Sequence, residues 1–328
     1  MSHADSRKVV LAALAGNVAI AACKFAAAFL SHSTATLAEA VHSLADTGNQ
    51  ALLLVGMHLS ARPATARFPF GRASERYFWP FVVAVMLLSV GGAFAIFDGV
   101  EHLMNPVHQE HNFLWSYGVL GVSLVMEGLS LRVAMQEFKK LAAGQTLHTA
   151  ILEARDPTIP LVLAEDATAI TGLLVAIVAV GLNNLTGWEA WDSIGSIIIG
   201  ALLCAVALVL AKVTHGLLIG ESATPEHQAR ALALASSVEG VEKVTQLLTM
   251  HLGPDVVILA LKVAFQPTLT VAGVEDVTNR IEAKVRAELP QMRKIFVEAD
   301  SQGDLRGVVP PGGARRSEGS DRPQPAGT

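Results

Sequence analysis

The chain has 328 residues, of which 52% are hydrophobic and 16% charged, and a mean hydropathy of +0.45, too apolar for an ordinary soluble protein of this size. A net charge of -5 argues against nucleic acid as a partner. Two cysteines, Cys23 and Cys204, both in apolar runs, supply neither a disulfide framework nor a thiolate metal motif.

Six apolar segments are long enough to cross a hydrocarbon core, which takes about 20 helical residues. They are residues 8–31, 35–59, 76–99, 113–137, 158–183 and 190–214. The opening MSHADSRKVV leads straight into the first of them without a convincing cleavage site, so the segment reads as a retained span and not a signal peptide. The loop after span two carries Arg62, Arg67, Arg72 and Arg76, and the loop after span four carries Lys139, Lys140 and Arg155. Arg7 and Lys8 lie at the N-terminus where span one begins, and Lys212 lies at the end of span six, whereas the loops at 32–34, 100–112 and 184–189 contain no Lys or Arg. That alternation predicts a multi-pass protein with both termini and the two long basic loops in the cytoplasm; the expected location is a bacterial inner membrane.

After Gly220 the pattern changes. Residues 225–236 read as a helix opened by Pro225. The runs VEKVTQLLTMHL and DVVILALKVAF read as strands around the turn residues Gly253 and Pro254. A helical stretch at 271–289 and a strand in KIFVEAD follow. The expected architecture is a mainly α membrane protein: a six-helix transport domain (1–215), a small cytoplasmic α+β domain of α-β-β-α-β order (216–302) and a disordered tail (303–328). The small domain has little core of its own, and dimerisation would help it.

Span two holds the most informative residues. His42 and Asp46 are four apart, hence on one helical face, and Glu39 joins them. Ionisable groups at bilayer depth are costly and mark substrate or ion paths. Span five adds Glu165 and Asp166. Lys24 in span one and Glu127 in span four read as structural or gating charges, and Arg132 as a residue reaching the interface. Asp98 and Asp192 fall near span ends, and His102, His108 and His111 lie in or beside an outer loop. In the cytoplasmic part His227, His251, Glu298 and Asp300 are weak metal candidates, His251 fitting a packing or turn role better. No Walker-type lysine loop appears, which speaks against ATP drive, and no H-E-x-x-H helix, which speaks against an intramembrane metalloprotease.

The stretches KFAAAFLSHSTATLAEAVHSLADTGNQ and FPFGRASERYFWPF, the pair Glu165–Asp166 and the run HLGPD resemble the cation diffusion facilitator family over roughly residues 7–302. Within it, they look most like the branch that contains the mitochondrial zinc transporter nine. The resemblance implies a ferredoxin-like cytoplasmic domain and no enzymatic activity. It implies a homodimer, joined through that domain and the membrane helices, that exports divalent metal in exchange for protons. It also implies a central metal site with two ligands from span two and two from span five. His42 and Asp46 match the span-two pair, and Asp166 the second span-five position. The first span-five position is Val162, which cannot bind metal. Glu165 is the nearest substitute, and Glu39, Asn49 or Thr168 would also compensate. One imidazole with two or three carboxylates suits Zn²⁺, Mn²⁺, Fe²⁺ or Co²⁺, with zinc first as cargo. A non-transporting membrane metal-binding or assembly protein is the alternative.

Overall fold

The computed structural model describes residues 3–31, 34–105, 113–141, 156–188 and 190–300. Six long helices come first: α1 (His3–Ser31), α2 (Thr34–Ser60), α3 (Glu75–Met104), α4 (Phe113–Leu141), α5 (Thr158–Thr186) and α6 (Ala190–Leu218). Each expected span is therefore a helix. All but α2 are long and apolar enough to cross a membrane. The 27-residue α2 has the length, at about 1.5 Å per residue, but carries Glu39, His42, Asp46, Asn49 and Gln50. The chain is a multi-pass membrane protein.

Local chemistry sets several details. In α3 a π-helical turn, Leu87–Ala93, containing Gly91 and Gly92, interrupts the α geometry. α5 ends on Gly187, whose φ of 67° is the left-handed conformation that closes a helix, and its N–H donates to Asn183 O at 2.8 Å. Helices α3 and α6 pack along each other, and α4 packs on both α1 and α5. Leu53 on α2, Val83 on α3, Phe138 on α4, Leu161 and Val162 on α5 and Ala207 on α6 meet in one buried apolar cluster.

Two compact units are formed, residues 1–220 with 252–254, and the remainder. In the second, α7 (Pro225–Ser236) starts with Pro225 behind the N-cap Thr224, whose hydroxyl accepts from His227 N. Strands β1 (Val241–Gly253) and β2 (Val256–Phe265) follow, then α8 (Val271–Glu288) and β3 (Lys294–Ala299). The sheet order is β1-β2-β3, with β2 and β3 parallel in the register Leu259 to Ile295. A parallel pair needs a crossover, and α8 provides it. Val257, Leu259, Leu261 and Val263 alternate along β2 and are at most 2% exposed. They share a core with Val277, Ile281 and Val285, spaced four apart on α8. This is the α-β-β-α-β order the sequence predicts.

Candidate metal site

The polar residues of α2 come one turn apart. Asp46, Asn49 and Gln50 are three and four positions apart, so they occupy one face. His42 precedes Asp46 on that face; its side chain and that of Glu39 lie outside the described residues. On α5, Glu165 and Asp166 are adjacent, hence about 100° apart around the axis, and they go to different helices. Asp166 turns to α4, where Ser130 Oγ donates to its Oδ2 at 2.7 Å. Glu165 turns to α2, where Asn49 Nδ2 donates to Oε1 at 3.1 Å and Gln50 Nε2 donates to Oε2 at 2.7 Å. Both are buried, Glu165 at 8% and Asp166 at 1% exposure. A buried carboxylate without donors is costly, and each of these has found neutral ones on a neighbouring helix.

Four helices contribute charge to this layer. Asp46 lies within electrostatic reach of Glu127, Glu165 and Asp166, and Lys24 on α1 within reach of Glu127. Lys24 is only 7% exposed, so its charge sits inside the bundle. Among the described residues no three His, Cys, Asp or Glu side chains converge tightly enough to hold one ion. The divergence of Glu165 from Asp166 is one reason. Val162, one turn before Asp166, is fully buried in the apolar cluster between Leu161 and Leu163. Thr168 turns back on its own helix, its hydroxyl donating to Ala164 O at 2.6 Å.

The remaining candidates have local partners. His102 sits half-exposed on α3, with Nδ1 at 2.9 Å from Asp98 O and 3.5 Å from the Asp98 carboxylate. Asp192 accepts from Asn183 Nδ2 at 3.0 Å, and Arg132 is exposed. His108 and His111 lie outside the described residues. In the second unit, His227 Nδ1 lies 3.0 Å from Thr224 Oγ1, and the buried His251 donates its backbone N–H to Glu221 O at 3.0 Å. Glu298 is 3.8 Å from Lys262, and Asp300 accepts from Thr245 Oγ1 at 2.7 Å. Sequence reasoning missed Gln50, although its spacing of four from Asp46 was visible. It also missed Ser130, for which a hydroxyl in an apolar helix is the only sign.

Residues 10–219 match the cation efflux transmembrane domain, and residues 223–302 match the cytoplasmic domain of cation efflux proteins. The chain belongs to the cation efflux family. That family comprises transporters and not enzymes, and its cytoplasmic domain is a dimerisation domain. Over 248 residues the chain is 33% identical to the proton-coupled zinc antiporter SLC30A9, mitochondrial, of Mus musculus, an alignment covering 75% of this chain and 44% of that protein. It is 32% identical over 301 residues to metal tolerance protein C4 of Arabidopsis thaliana, covering 91% of this chain and 64% of the relative. It is 23% identical over 290 residues to the magnetosome protein MamB of Magnetospirillum gryphiswaldense, covering 88% and 91% respectively. The chain thus spans less than half the length of the mouse relative.

Proposed function

We propose that this protein exports a divalent transition metal, zinc first and manganese second, as a metal/proton antiporter working by alternating access. The observation that carries the reading is Asp166, a carboxylate 1% exposed within an apolar 29-residue helix and in electrostatic reach of Asp46. An ionisable group so placed marks an ion path. The mouse relative is named a proton-coupled zinc antiporter, which supports both zinc and protons. His42, Asp46 and Asp166 are the ligands of the central position, and Glu165 and Glu39 belong to the acidic layer around it. Histidine binds metal only when neutral, so metal release lets a proton return and links the two fluxes. The protein works as a homodimer, with both termini and the two basic loops on the cytoplasmic side of a bacterial inner membrane.

The test is reconstitution of the full chain in proteoliposomes with an imposed pH gradient, reading uptake of zinc, manganese, iron and cobalt. Zinc uptake that collapses with the gradient is expected, and Asp166→Ala should abolish it. Uptake indifferent to the gradient would refute antiport, and no uptake of any metal would favour an assembly role. Manganese as the main cargo is the second reading. Val162 favours it, because a span five without histidine leaves mostly oxygen donors, which suit manganese.

A further inference from the structure

Glu165 is buried with neutral partners alone: among the described residues, two carboxamides donate to it and no cation pairs with it. Those carboxamides are themselves incomplete. Asn49 is 3% exposed and Gln50 fully buried, and the oxygens Asn49 Oδ1 and Gln50 Oε1 have no hydrogen-bond partner among the described residues. An orphaned buried acceptor is costly, and here two stand on the groups that hold one buried carboxylate. Both unsatisfied atoms on these carboxamides are oxygen acceptors, and the carboxamides flank a carboxylate. A water molecule would satisfy the acceptors but leave the charge. A proton on Glu165 would relieve the charge alone, whereas a cation satisfies both at once.

The surrounding charge points the same way. Asp46, Glu127, Glu165 and Asp166 act on one another electrostatically, against the single ammonium of Lys24 among the described residues. Four carboxylates and one ammonium therefore share this layer among the described residues. Glu165 and Asp166 cannot serve one compact ion in this conformation, since they are held by α2 and α4 respectively. Along α2, Asn49 and Gln50 lie three and four residues beyond Asp46, about 5 Å further toward the arginine-rich loop that follows the helix.

We propose that Glu165, Asn49 and Gln50 form a second, oxygen-only position for a divalent cation, separate from the Asp46–Asp166 position and on its basic-loop side. A carboxylate with two amide oxygens is a hard-donor set, suited to manganese or magnesium better than to zinc. Its use as a loading position ahead of the central one rests on the transport reading; its existence as a binding position does not. The carboxylate oxygens keep lone pairs beyond those facing the amide nitrogens, and these remain open to a cation.

Equilibrium binding of Mn²⁺ to the full-length protein in nanodiscs tests this, with unbound Mn²⁺ counted from its electron paramagnetic resonance signal. Glu165→Gln is expected to remove one equivalent per protomer, Asp166→Asn a different one, and the double substitution both. Gln50→Met, close in volume and without the oxygen, should weaken the Glu165 equivalent about tenfold, and it carries the test if Glu165→Gln fails to fold. Full wild-type binding by Glu165→Gln would overturn the proposal and leave the trio as a clamp between helices. Loss of one shared equivalent in both single variants would overturn it too, making Glu165 a ligand of the central ion with the transport reading intact. No change in Asp166→Asn would instead count against the central site.

Discussion

Arg76 shows how much a single residue's meaning depends on its partner. By sequence it is one of four arginines that orient a loop. In the fold it is 2% exposed and donates through Nη2 to Asp156 Oδ2 at 2.6 Å, while Asp156 Oδ1 accepts from Thr158 N at the start of α5. The pair ties the start of α3 to the start of α5. Removing one partner of a buried ion pair typically costs about 3–5 kcal/mol, because the other charge stays buried. Asp156→Ala should therefore lower the thermal unfolding midpoint sharply in detergent, and Asp156→Leu combined with Arg76→Met should recover most of the loss. Ser130 acts at the same scale on Asp166. Its hydroxyl orients the carboxylate, and loss of such a supporting bond typically costs about 10–100-fold in metal affinity. Ser130→Ala should show that drop in a zinc titration while leaving the unfolding midpoint nearly unchanged.

Close approach of helix backbones governs the α3–α6 element. A Cβ on Gly200 would lie 2.7 Å from Gly92 O and 2.8 Å from Ile96 N, and one on Gly99 would lie 2.8 Å from Ser193 O. Those neighbours are backbone atoms and cannot swing aside, so small residues at the contact set how near the helices come. Gly200→Ala should cost about 1–3 kcal/mol, read as a lower unfolding midpoint of the purified protein. The π-helical turn at Leu87–Ala93 falls on this seam, with Gly92 against Gly200. An extra residue in one turn re-aims the side chains that follow, and nothing in residue type announces such a turn in advance.

For the molecule as a whole, the two units rest on different cores. The second unit is held by a core drawn from α7, β2, α8 and β3, with Ile281 fully buried among Val277, Val285 and the β2 valines. A charge there has no partner. Ile281→Asp should unfold that unit and, if dimerisation depends on it, shift the purified protein from dimer to monomer by light scattering. Membrane insertion should persist, since the helical unit has its own apolar cluster.

Periodicity carries most of what could be read in advance. Alternation along β2, the four-residue spacing on α8 and apolar runs of about 20 residues are properties of consecutive residues, and element type and order follow from them. So do the acids in spans two and five, because a charge within an apolar run is conspicuous without any structure. Direction around a helix is only half legible. Spacing puts Gln50 with Asp46, yet only folding brings α2 to one side of α5 and α4 to the other, sending Glu165 to Asn49 and Gln50 and Asp166 to Ser130. The same holds for Arg76 and Asp156, eighty positions apart in the chain. Hydrophobic pattern is local, and one stretch of consecutive residues suffices to register it. A hydrogen bond or ion pair between helices needs two side chains whose separation is decided by packing, and that information exists only in three dimensions.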